Sequence, residues 1–212
     1  MRRRPQWTAL FFIVCLFATA GPTSAYALDF ARHSIDSENL NAILVTGEVR
    51  VGDTDRLLNY VRSLPPKNNN AVYLSSPGGN LYEGMRLGRM FKAERIKAVV
   101  EGSEMCASAC AVPFLGGRDR QGARWMSSTT TSRLGFHAFR NGDGSKTSAT
   151  DDTQRIVSDM LQYGRDVDAP MQILIKTFAT PSGSMYWLSE DELLQLGVKV
   201  WSIEQNCFVL CR

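Results

Sequence analysis

Histidine is scarce: the 212 residues contain two, His33 and His137. If an imidazole acts as a base, the choice is between those two. Zinc-type cysteine spacing is missing as well. The five cysteines are Cys15, Cys106, Cys110, Cys207 and Cys211, and no two form the C-x2-C pair common in zinc clusters. No strong charge excess is present, which argues against nucleic acid or an acidic membrane surface as partner. Neither an internal repeat nor a second domain is visible. The longest apolar run, near the N-terminus, is shorter than the roughly 20 residues a bilayer span needs.

That run has the form of a secretory leader. Arg2, Arg3 and Arg4 form a positive start and residues 7–18 an apolar centre. Both Thr23-Ser24-Ala25 and Ala25-Tyr26-Ala27 fit a cleavage site. We expect residues 1–27 to be a signal peptide, with export across a bacterial inner membrane and release into the periplasm or medium. An uncleaved inner-membrane anchor is the alternative. The 24 Lys and Arg include the three leader arginines, whereas all 21 Asp and Glu lie beyond it, so the mature charge balances. Residues 28–212, about 185 in number, suffice for one domain with a substantial core. An oxidising compartment permits disulfides. Cys106/Cys110 and Cys207/Cys211 are both spaced C-x3-C, and a local bridge at each pair is expected. Such a bridge at Cys106–Cys110 calls for a distorted helical turn. The alternative is two small buried packing residues. No metal site is expected.

The organisation is strand–helix repeated. Residues 42–47, 71–74 and 96–100 read as buried strands. Asp53 is a candidate cap for a helix to Leu64, with Leu57, Leu58 and Val61 facing inward. Leu81, Met85, Leu87 and Phe91 mark the next helix, on which Gly84 and Gly88 indicate close packing. A third helix is expected to carry Ser108 and end near Gly116-Gly117. Leu134 to Phe139 reads as a strand containing His137. Residues 141–152 form a polar loop, whose resemblance to a calcium loop fails at Lys146, where glycine is expected. Two amphipathic helices follow, with Ile156, Val157, Met160 and Leu161 on one face of the first and Met171, Leu174, Ile175 and Phe178 on one face of the second. Ser189 caps a short helix closed by Gly197, and residues 198–203 form a last strand. This order predicts an α/β domain of βαβ units on a mainly parallel sheet, with its ligand site beyond the carboxyl ends of the strands.

Three features converge there. Cys106-Ala107-Ser108-Ala109-Cys110 places one hydroxyl in a small, apolar setting. Ser76-Pro77-Gly78-Gly79 offers backbone N–H groups, and Phe136-His137-Ala138 an imidazole. A serine nucleophile needs such a base, and such donors for its oxyanion. His33, near the mature N-terminus, is expected to be solvated, which leaves His137 as the candidate base.

In that order, with Leu44-Val45-Thr46-Gly47-Glu48-Val49, Leu74-Ser75-Ser76-Pro77-Gly78-Gly79, Glu83-Gly84-Met85, Cys106-Ala107-Ser108-Ala109, Gly135-Phe136-His137 and Leu188-Ser189…Leu196-Gly197-Val198, the chain resembles the proteolytic subunit of Clp protease within the Clp/crotonase fold. It is most similar to exported Clp-like proteins with a C-x-S-A-C motif. The resemblance implies Ser108 as nucleophile, His137 as general base and the N–H groups of Gly78 and Ala109 as oxyanion hole. It also implies that Pro77 and Gly79 shape a substrate loop. No cofactor is implied. One position departs: the family's acidic orienter, three residues before the Leu-Ser of the late helix, is Met185 here. Ser184, Asp166 or Asp168 are the nearby substitutes, while Glu190 and Asp191 fit first-turn helix charges. The expectation is a Ser–His dyad, or a slow triad with a displaced acid, cleaving peptides or small acyl compounds. The alternative is a Clp-like binding or assembly protein without activity. A homo-oligomer is implied, with residues 141–163 as the contact between subunits. Export argues against a CoA substrate and an ATP-dependent unfoldase.

Overall fold

The structure is a computed structural model that describes residues 27–35, 37–139 and 149–209. All of the expected leader but Ala27, most of the loop at 141–152, and Cys211 lie outside the described residues.

Apolar alternation and turn chemistry build the first half. β1 (Asp29–Arg32) runs antiparallel to β2 (Leu40–Thr46), and β2 is parallel to β3 (Asn69–Ser75). Between the last two lies α1 (Asp53–Ser63), which buries Leu57 and Val61. Asp53 is not its cap. Gly52 takes the cap position at φ 97°, and Asp53 instead accepts the N–H groups of Leu28 and Arg50. α2 (Leu81–Glu94) starts at Asn80, whose side chain accepts the Glu83 N–H, and ends where Arg95 turns left-handed. It delivers the chain to β4 (Ile96–Val100), parallel to β3.

A second sheet, not anticipated from the sequence, follows. β5 (Met105–Ala107) pairs in parallel with β7 (Arg133–Phe136), and β7 in antiparallel with β8 (Tyr186–Trp187). After β5 come a 3₁₀ turn (Ser108–Cys110) and the short α3 (Ala111–Phe114). β6 (Met126–Thr129) returns to the main sheet. That sheet is completed, after α4 (Ala149–Asp166), α5 (Met171–Ala179) and α6 (Glu190–Gln195), by β9 (Lys199–Ser202) and β10 (Cys207–Phe208). The main order is β1-β2-β3-β4-β6-β9-β10, parallel except at its two outermost pairings. The mainly parallel α/β architecture is therefore as expected.

The helices pack on one face. Ile43, Val45, Val72, Ile96 and Ala98 of the sheet bury against Leu57, Met85, Leu87, Phe91 and Phe114. Each such side chain contributes on the order of 1.5–3 kcal/mol. The glycines of α2 allow the close packing expected of them. A Cβ on Gly84 would lie 2.5 Å from the Ala109 carbonyl oxygen, and one on Gly88 would lie 2.0 Å from the Tyr163 hydroxyl. Two helix faces differ from expectation. α4 buries Met160 and Tyr163 but leaves Leu161 exposed. α5 buries Ile173, Leu174 and Thr177 and exposes Met171 and Ile175. Apolar residues surround α5, so their spacing does not select a face. Among the described residues no helix is long and apolar enough to cross a membrane.

The corner after β8 is closed by a carboxylate. Glu192 completes a capping box with Ser189, pairs with Lys176 at 2.9 Å and accepts the Tyr186 hydroxyl. The Tyr186 hydrogen bond, then the Ser189 N–H and Lys176, hold its carboxyl down at about 2. A depressed carboxyl stabilises the fold above its unfolded value and loses that contribution as pH falls from 4.5 toward about 2. Urea midpoints measured across that range should fall more steeply for the parent than for Glu192→Gln; parallel curves would refute the coupling.

Candidate active site

Ser108 and His137 are positioned by the small sheet. Ala107 of β5 lies in register with Gly135 of β7; Ser108 follows the first by one residue and His137 the second by two. His137 thus stands just beyond β7 rather than within a strand. The edge of β5 away from β7 is held by the Pro-Gly-Gly loop, where Ser76 N–H donates to the Met105 carbonyl and Ala107 N–H to the Ser76 carbonyl. The loop and the serine turn therefore meet, as the topology implied. A Cβ on Gly78 (φ 110°) would sit 2.7 Å from Ser108 Cβ and 3.0 Å from Ala109 N. Only a residue without a side chain fits.

Ser108 Oγ and His137 Nε2 are 2.8 Å apart, and both side chains are half-buried. On the other side of the ring, Nδ1 lies 2.6 Å from the Ala138 carbonyl. A carbonyl only accepts, so Nδ1 carries the proton and Nε2 presents its lone pair to the serine hydroxyl. Ser108 has φ 57°, a left-handed conformation that costs a non-glycine residue roughly 1–2 kcal/mol. It opens the 3₁₀ turn directly after a strand, so its hydroxyl projects from a sharp bend. Ala109, fully buried, occupies the first turn, where backbone N–H groups have no acceptor within the helix. Gly78 N–H donates to the Ser76 hydroxyl at 3.1 Å. That Ser-x-Gly turn is a hydroxyl-to-backbone signal readable from sequence.

Among the described residues, no carboxylate replaces the missing acid in the hydrogen bonds of His137. Continuing the β7–β8 register past Phe136↔Tyr186 brings Met185 beside His137, and the Met185 side chain packs over Gly135. Asp166 is held by Arg89 at 2.7 Å and Asp168 by Lys92 at 2.6 Å. These contacts keep both carboxyls below their usual range, Asp166 chiefly through Arg89 and Asp168 chiefly through Lys92. Ser184 N–H donates to Pro181. Gly79 has φ 138°, and a built Cβ only 2.2 Å from the Val49 carbonyl oxygen ties it to the segment that follows β2. Pro77 is exposed at the tip of the loop.

His33 is not solvated. Its Nε2 lies 2.5 Å from Glu101 and its ring stacks on Tyr73 at 4.6 Å, with 13 % of the side chain exposed. Burial, then the Glu101 charge, pushes the Tyr73 hydroxyl up to about 12. The Cys106–Cys110 bridge is formed, with Cα atoms 5.2 Å apart. Of the second expected pair, Cys207 is an exposed thiol on β10, and Cys211 lies outside the described residues. Clefts of about 740 and 250 Å³ border α6 and contain neither Ser108 nor His137.

No protein-family model matches the sequence, and no curated protein does. Among solved structures the chain is similar to a mutant of ClpP1 from Listeria monocytogenes. The two share 17% identity at a TM-score of 0.55, over 78% of this chain and 93% of that one. The fold is Clp-protease-like. At that identity the likeness concerns the fold alone.

Proposed function

We propose that this Clp-like chain is an exported serine hydrolase that cleaves peptides or small acyl compounds through a Ser108–His137 dyad. One observation carries the reading: a serine held at φ 57° on a strand-to-helix bend, 2.8 Å from an imidazole nitrogen whose tautomer suits a base. His137 Nε2 takes the Ser108 proton as Oγ attacks the acyl carbon. The oxyanion gathers the N–H groups of Ala109 and Gly78, and the Ser76 hydroxyl gives way at the latter. Imidazolium then protonates the leaving group, and water releases the acyl group by the reverse sequence. The Ala138 carbonyl fixes the ring but supplies a dipole where a triad supplies a full charge, so turnover is slow. The resting home is the periplasm after leader removal, and the working form a homo-oligomer in which residues 141–163 join the subunits.

A serine-reactive phosphonate should label the mature protein, with the added mass on the peptide containing Ser108. An unlabelled protein, under conditions that label a control hydrolase, would sink the proposal. The backbone carbonyl at Nδ1 also favours a second reading, a binding or assembly protein without turnover. That reading requires Ser108→Ala to leave partner capture and phenotype unchanged.

A further inference from the structure

We infer that the Cys106–Cys110 bridge is a positioning device for acylation: it locks the turn it encloses so that the Ser108 hydroxyl stays on His137 and the Ala109 N–H stays aimed at the oxyanion. The inference rests on the hydrolase reading above. Only Ala107, Ser108 and Ala109 lie between the two sulfurs, so the bridge brackets the nucleophile and one oxyanion donor together. Their own segments are too short to hold them without help from outside the turn. β5 is three residues long, the 3₁₀ turn three and α3 four, and helical segments this short do not persist by themselves. Among the described residues the non-glycine positions with positive φ are Arg95, Ser108, Asp168 and Asn206, and of these only Ser108 opens a helical turn. A left-handed serine relaxes to negative φ unless its flanks are fixed. On the side away from the bridge, α2 leaves no room, since Gly84 abuts the Ala109 carbonyl.

Two further observations favour a local role. Cys106 and Cys110 are 0 % and 1 % exposed, which suits an inert structural pair rather than one that exchanges with solution thiols. A bridge closing so short a loop also constrains the unfolded chain least, so its contribution to global stability is small. Its effect falls on the conformation of Ser108. A chain still carrying two thiols, as before export, acylates slowly even when folded.

The test compares the mature protein with Cys106→Ala/Cys110→Ala and with parent unfolded, reduced by a phosphine and refolded. In that reduction the phosphine gives up two electrons and takes oxygen from water, while the sulfurs take two protons. Labelling of Ser108 by a phosphonate is followed over probe concentration, with near-ultraviolet circular dichroism reporting the fold. Expected is a maximal labelling rate lower by about 10²-fold, an unchanged half-saturating probe concentration, and native dichroism. Equal maximal rates in folded samples would overturn the inference. So would loss of the fold in both reduced and double-variant protein, because the bridge would then hold the domain rather than the turn. Hydrogen exchange of residues 105–111, faster without the bridge, reads the same clamp independently of chemistry. If parent is unlabelled yet exchange rises, the hydrolase reading fails and the clamp stands; unchanged exchange removes the clamp.

Discussion

Replacing His137 with alanine should slow acylation of Ser108 severely, by at most about 10⁶-fold, the loss when a complete triad gives up its base. The structural cost should be small. His137 is half-buried, and the variant gives up two hydrogen bonds, one to Ser108 and one to a neighbouring carbonyl, each worth about 1 kcal/mol. The two readouts therefore separate: phosphonate labelling collapses while the denaturation midpoint moves little. Because the pair acts as a unit, Ser108→Ala/His137→Ala should hydrolyse an activated ester no more slowly than Ser108→Ala alone. A His137→Ala variant that labels at the parental rate would reduce the 2.8 Å contact to a packing hydrogen bond.

Gly79→Ala should have the largest effect on stability, about 3 kcal/mol or more. At φ 138° an alanine is strained from the outset, and its Cβ would fall 2.2 Å from the Val49 carbonyl oxygen. That backbone cannot withdraw cheaply. Val49 N–H donates to Gly78 at 2.7 Å, and its carbonyl accepts Asn80 N–H at 2.8 Å. Any shift breaks the join between β2 and the loop and carries Gly78 off Ser108, so labelling should fall with stability. Gly102→Ala is the control. It also has positive φ, but nothing lies within 4 Å of its added carbon. Urea denaturation of the two variants separates backbone strain from collision; equal losses would show that the contact with Val49 is unimportant.

The βαβ core was legible because its strands are continuous apolar runs and its late helix carries a cap and a stop, Ser189 and Gly197. The candidate pair was legible because so few histidines compete. β5 was not, since Met105-Cys106-Ala107 has no pattern of its own. It becomes a strand through Ser76 on one edge and β7 on the other. The left-handed Ser108 is likewise a tertiary product. His33 looked solvated because its partners, Tyr73 and Glu101, are 40 and more positions away in the chain. The Ala138 carbonyl at Nδ1 has no sequence signature at all, because every residue carries one. The exposed side of α5 was obscured by a helix that is apolar nearly all round.

The register between β5 and β7 has a consequence for how the chain can change length. Serine and histidine are 29 positions apart, but that count has no physical meaning. What sets their separation is Ala107 opposite Gly135. One residue added within either short strand would displace the pair by about 3.3 Å and turn a side chain to the wrong face. One added at the exposed turn from Asp119 to Gly122 would leave that pairing untouched. Insertions and deletions should therefore be tolerated between the strands and forbidden inside them, whatever their cost in stability.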